Sequence, residues 1–171
     1  CIYDYDICGG VVHVVGNVNL YCKALTSIPV QFGYVSGHFY CSNKNNQLKS
    51  LEGCPSEVGG DFYCSYNELT SLKGGPMEVG GSFYCNDNDL TSLEGCPKEV
   101  GGNFNCHDNG LGSLKGCPSE VGGYFDCSDN VLDSLIGGPK IVGGHFDCRC
   151  NMFEYTPDHS HITIGGKFQW A

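Results

Sequence analysis

Apolar residues along this chain fall on a fixed beat. Reading Leu-x-Ser-Leu-x-Gly-(Cys/Gly)-Pro-x-(Glu/Ile)-Val-Gly-Gly-x-Phe-x-Cys-x-x-Asn, copies start at Leu48, Leu69, Leu90, Leu111 and Leu132. Cys64, Cys85, Cys106, Cys127 and Cys148 follow one another at intervals of 21 residues. A constant period of this length marks a repeat solenoid, in which each coil packs only on its neighbours. Within a copy, x-Phe-x-Cys-x alternates apolar and polar positions and reads as a short strand. Phe and Cys point inward and the letters around them outward. Gly-Gly before the strand allows a tight turn or a close approach of neighbouring backbones. The Pro has no N–H and sets an extended or turn conformation. No segment has the ~10–12 residues of apolar helical periodicity that a regular helix needs. The expected fold is therefore a mostly β repeat solenoid of about eight coils. Each coil has one short parallel strand and an extended return path, with little or no helix.

The beat weakens at both ends. Cys1–His13 matches no copy and reads as an N-terminal cap over the open core. From residue 14 the pattern begins, with Val18 and Leu20 in the Phe and Cys places and Leu25 and Ile28 in the Leu places. Cys41 to Leu48 carries two extra residues, placed as a bulge within Lys44–Gln47. The solenoid is thus assigned to residues 14–148. Residues 149–171 form a C-terminal degenerate repeat or cap, with Phe153 and Thr156 in the Leu places and Trp170 in the Cys place.

Phe104-x-Cys106-x-x-Asn109-x-Leu111-x-x-Leu114 resembles the leucine-rich-repeat core, Leu-x-Leu-x-x-Asn-x-Leu-x-x-Leu. The 21-residue length with Pro after the last Leu is similar to the short bacterial class. The Gly-Cys-Pro-x-Glu-Val-Gly-Gly-x-Phe wording resembles repeats of tailed-bacteriophage and large-virus proteins. The resemblance runs over about residues 14 to 170. It implies a binding solenoid, with Asn67, Asn88, Asn109, Asn130 and Asn151 forming a buried ladder between coils. A ligand site is the competing reading of those Asn residues. One departure stands out: the family's first Leu falls on Gly101, and Val100 is expected to supply the missing core contact.

Composition narrows the partners. With 9 Lys+Arg against 19 Asp+Glu the formal charge is −10. Such a surface repels phosphate backbones and anionic lipid, which argues against nucleic-acid and membrane binding. Thirteen cysteines in a short chain suggest a disulfide scaffold. Yet Cys41, Cys64, Cys85, Cys106, Cys127 and Cys148 share one inward position. At a second cysteine position, occupied by Cys54, Cys96 and Cys117, Gly75 and Gly138 substitute. The first set reads as small buried hydrophobes. With no visible signal peptide, free thiols favour a virion or a host-cell cytoplasm.

Function is expected in the outward letters. Tyr40, Tyr63 and Tyr84 should stack on adjacent strands about 4.8 Å apart. The ladder reads either as sheet stabilisation or as a recognition surface. Asn105, Asp126 and Asp147 continue that column, and His107 and Arg149 lie in the next. Asp87, Asp108 and Asp129 form a further column, suited to turn N–H groups or to a cation. No nucleophile, zinc or phosphate-loop motif is present, so neither catalysis, a metal nor a cofactor is expected. The expected function is a protein-interaction or assembly module, first as a component of a virus or phage particle. The alternatives are a bacterial-type recognition module and a glycan binder using the sheet face.

Overall fold

The computed structural model describes residues 4–21, 25–42 and 47–170. It is a parallel β-solenoid without helix among those residues. Two sheets run its length, one of nine strands and one of eight. The phenylalanine sheet is made of Val18–Asn19, Phe39–Tyr40, Phe62–Tyr63, Phe83–Tyr84, Phe104–Asn105, Phe125–Asp126, Phe146–Asp147 and Phe168–Gln169. These strands pair in parallel and in register, Phe104 with Phe83 on one side and Phe125 on the other. Eight strands enclose about seven complete turns.

Each coil also carries a second short strand. The valine sheet contains Val11–Val15, Gln31–Val35, Glu57–Val58, Glu78–Val79, Glu99–Val100, Glu120–Val121, Ile141–Val142 and Thr163–Ile164. Two residues are too few for a visible alternation, so the pattern points to the phenylalanine strand alone. Val100 lies in this second strand, 2 % exposed, and fills the place that Gly101 leaves.

Gly-Gly forms the corner between the sheets. Backbone bonds climb from corner to corner, Gly102 N to Gly81 O at 2.8 Å and Gly123 N to Gly102 O at 2.7 Å. The coils approach so closely there that a Cβ on Gly122 would collide with the carbonyl oxygen of Gly101. The family's Leu is excluded at this position by backbone contact.

The core is a set of columns. Phe62, Phe83, Phe104, Phe125 and Phe146 stack at centroid distances of 5.1–5.6 Å. Two leucines and one cysteine per coil fill the rest, all at or near zero exposure from Leu48 to Cys148. Each buried cysteine sulfur also reaches the next coil, Cys106 Sγ lying 3.4 Å from the Asp126 carbonyl. Cys64, Cys85, Cys106, Cys127 and Cys148 are free thiols. Burial pushes the pKa of Cys85, Cys106 and Cys127 well up and that of Cys148 to about 12. The thiolate is the reactive form. Among the described cysteines, iodoacetamide should therefore label the exposed Cys8 and Cys150 in the native protein, and the buried column only after denaturation. Mass mapping of alkylated peptides reads this out. Cys106 reacting as fast as Cys150 would mean that the column is open.

Both ends depart from the regular coil. Asp4–Cys8 pairs antiparallel with Val11–Val15 as a hairpin. Its strand extends the valine sheet's edge with Tyr5 and Ile7 exposed, and residues 1–3 of the expected cap lie outside the described residues. At the other end Phe153 is partly buried, whereas Thr156 is exposed and Pro157 lies inside. Ile162 is buried there too, and His159 stacks on Phe168 at 3.8 Å. Trp170 packs against the core, partly buried. Most of the expected Lys44–Gln47 bulge lies outside the described residues.

Candidate functional site

The outer face of the phenylalanine sheet presents four columns, and hydrogen bonds sort them. The column just before Phe is structural. Its side chains accept the N–H of the same position one coil on: His38 Nδ1 from Asp61, Asp61 Oδ1 from Ser82, Ser82 Oγ from Asn103, and Asn103 Oδ1 from Tyr124. The same His38 Nδ1 lies 3.2 Å from Asp61 Oδ2.

The column between Phe and Cys divides the molecule. At Asn105, Asp126 and Asp147 it is Asn or Asp, each bent back on the N–H two residues ahead. Asn105 Oδ1 takes His107 N at 3.0 Å, Asp126 Oδ1 takes Ser128 N at 3.0 Å, and Asp147 Oδ1 takes Arg149 N at 3.1 Å. Such local bonds are the usual work of Asx residues in turns. Arg149 also grips Asp147 through two nitrogens, the shorter contact 2.6 Å. Burial works to raise the Asp147 pKa, but the bonds from Arg149 outweigh it and hold the carboxyl below its ordinary value. Asp126 and Asp147 do stand side by side. Both are already occupied, as are Asn105 and Arg149. His107 Nε2 lies 3.6 Å from Asp87.

Between Asn19, whose Oδ1 accepts Tyr21 N at 2.8 Å, and Asn105 that column is tyrosine in three successive coils. Tyr40, Tyr63 and Tyr84 stack at 4.8 Å per step, their rings within 12° of parallel. Tyr63 donates its hydroxyl to Asp61 at 3.0 Å. Burial and that carboxylate push its pKa up. A tyrosine cannot bend back as Asn does. Consequently the N–H of Ser42, Ser65 and Asn86 meets no acceptor among the described residues.

Those three residues floor a groove of about 360 Å³. Tyr63 and Tyr84 form one wall, Tyr66 the other, and Tyr21 stands at one end. In the floor Ser65 Oγ donates to Asn86 Oδ1 at 2.6 Å, and Asn86 Nδ2 donates to Asp87 Oδ2 at 2.6 Å. The Ser42 hydroxyl oxygen is fully buried, with no hydrogen-bond partner among the described residues. Of the expected surface residues, the fold thus gathers Tyr63 and Tyr84 into the groove, with Tyr40 stacked beneath Tyr63. The groove floor and Tyr66 were not expected. A signal existed: Tyr replaces Asx in three successive coils, and two columns read together would have shown the lost acceptor.

The Asp87, Asp108 and Asp129 column takes φ of 49–54°, as do Tyr66 and Cys150 at 57° and 54°. Asp tolerates this left-handed conformation; Tyr and Cys do so at a cost of about 1–2 kcal/mol. No cluster of three or more His, Cys, Asp or Glu suited to a metal ion occurs among the described residues. The ladder asparagines lie between coils. Asn109 Nδ2 donates to the carbonyls of Cys85, Cys106 and His107, and its Oδ1 accepts from Leu90 N.

A larger groove, about 790 Å³, follows the valine sheet beside Glu57, Glu78, Glu99 and Glu120. Its carboxylates stand in register on adjacent strands. No protein-family model, curated protein or solved structure matches this chain.

Proposed function

We propose that the chain is a non-catalytic binding module of the leucine-rich-repeat kind, and that it engages a protein partner through the tyrosine-bearing coils of its phenylalanine sheet. The observation that carries this reading is the change at one column. In the C-terminal coils Asn105, Asp126 and Asp147 serve the fold at this position by satisfying backbone N–H groups. Tyr63 and Tyr84 abandon that role and build the wall of a groove instead. Tyrosine supplies contact area at little entropic cost and is enriched in interfaces. Leu-x-x-Leu spacing and the Asn bonds between coils fit the proposed kinship. A role in a virus particle rests on the wording of the repeat, most of which the geometry accounts for as packing.

The test uses Tyr63→Asn with Tyr84→Asn, since Asn is what the fold itself places there at Asn105. Immobilised native and variant proteins are exposed to lysate of the source cells, and bound proteins are compared by mass spectrometry. The variant should melt close to the native protein and lose the specific partner. Equal recovery by both, or loss only on substituting Asp126 and Asp147, would contradict the reading.

A further inference from the structure

Ser42, Ser65 and Asn86 offer three backbone donors in a line, one per coil. In the neighbouring coils the same N–H reaches an acceptor held on the outer face, as His107 N does to Asn105 Oδ1. The three N–H groups therefore aim at the outer face, where none of the described residues receives them. Beside them lies the orphaned Ser42 hydroxyl. Ser65 and Asn86 are buried and Ser42 half-buried, and donors left without protein partners in such a place are costly, so the groove is built to receive acceptors.

The acceptors must be neutral. Asp61 borders one wall through Tyr63, and Asp87 borders the other through Asn86. The formal charge of −10 adds to this field. An anionic ligand is repelled, whereas amide carbonyls with basic neighbours are favoured. Sugar stacking is blocked on Tyr63, the ladder's middle ring, which has Tyr40 on one face and Tyr84 on the other. Ring edges and the groove between the walls remain available.

Spacing selects the conformation. Ser42 and Asn86 follow strands two steps apart in register, and at about 4.8 Å per step the outer donors lie about 9.6 Å apart. In a β-strand, groups on one side recur every ~6.7 Å, which misses this interval. A polyproline II helix rises ~3.1 Å per residue with three residues per turn, so carbonyls at i and i+3 recur every ~9.3 Å. Aromatic-lined grooves are also the usual receptor for that helix, which arrives with little conformational entropy to lose.

We infer that the tyrosine groove binds a proline-rich segment of a protein partner, in the polyproline II conformation and flanked by Lys or Arg, with its i and i+3 carbonyls on Ser42 N and Asn86 N. This rests on the binding reading above and specifies its ligand.

The experiment is a fluorescence-anisotropy titration of the native chain with a labelled Arg-flanked Pro-x-x-Pro peptide. Its alanine-for-proline counterpart, a β-linked oligosaccharide and a phage-displayed random-peptide library serve as further probes. The proline peptide should bind saturably and the alanine peptide should not. Tyr84→Asn, which returns an Asx acceptor to Asn86 N and removes a wall, should weaken binding roughly tenfold or more. Tyr40→Asn, which returns an Asx acceptor to Ser42 N at a position that does not line the groove, should weaken it in the same direction and guards against a folding failure in the first variant. Binding of the oligosaccharide but no peptide overturns the inference, as does proline-peptide binding indifferent to both variants. Library peptides that bind in the groove without a polyproline pattern overturn the inference but leave the binding reading standing. Absence of any groove-dependent peptide removes both.

Discussion

Gly122→Ala is expected to destabilise the protein by about 3 kcal/mol, at the upper end of the cost of overpacking a close contact. The change adds a single methyl group. That methyl would meet the carbonyl oxygen and carbon of Gly101, which are backbone and not the end of a flexible side chain. The two coils cannot slide apart cheaply. Gly122 N is held to Val100 O at 2.9 Å and Gly123 N to Gly102 O at 2.7 Å. Gly112 supplies the control, since a methyl group added there would meet nothing within 4 Å and its backbone is not left-handed. Gly112→Ala should be neutral or stabilising by about 0.4–1 kcal/mol, through the reduced freedom of the unfolded chain. Urea unfolding of both variants, read as midpoints at a common slope, separates the two outcomes. Equal stability of the pair would mean that the corner glycines are not close-packed.

Asn130→Ala should cost about 3–5 kcal/mol. Asn130 is 7 % exposed and uses both ends of its amide. Its Nδ2 donates to the carbonyls of Cys106, Cys127 and Ser128 at 3.0–3.2 Å, and its Oδ1 accepts from Leu111 N at 2.9 Å. Alanine leaves the Leu111 N–H without its partner, at about 1–3 kcal/mol when no water replaces it, and removes three further bonds at about 0.5–1.5 kcal/mol each from carbonyls that Asn109 Nδ2, Asn151 Nδ2 and Asp108 N still serve. Asn130→Asp keeps the acceptor but turns a carboxylate toward three carbonyls. It should be at least as damaging at neutral pH and recover partly as the pH falls and the group takes a proton. Since coils depend only on their neighbours, such a mid-solenoid break should also reduce cooperativity. Calorimetric melting of the two variants checks this. A loss below about 1 kcal/mol would return these asparagines to the competing reading as a ligand site.

The architecture was legible because each coil repeats its packing demands at the same interval. Leu90, Leu93, Phe104 and Cys106 recur since each must fill the same hole in the next coil, and all four are fully buried. The second strand was not legible, because Glu99–Val100 is two residues long and leaves no period to read. The reason for Gly101 was hidden as well: it depends on a neighbouring carbonyl 21 residues away. Thr156 departed from expectation, and the Asp4–Cys8 hairpin went unread, where the repeat ends and tertiary contacts replace the pattern. At the candidate site, Tyr40, Tyr63 and Tyr84 were legible as a stack. The groove was not, since it arises from what tyrosine fails to do for the N–H two residues ahead. Glu57, Glu78, Glu99 and Glu120 went unread because they lie on the strand that the period concealed.

The central claim is that the fold satisfies its own face in the C-terminal coils and leaves it open in the tyrosine coils. Residue-resolved amide hydrogen exchange of the free protein, followed by NMR, tests this most directly. The N–H groups of His107, Ser128 and Arg149 should be protected, while those of Ser42, Ser65 and Asn86 should exchange faster and gain protection when a partner occupies the groove. Equal protection of all six in the free protein would contradict the claim.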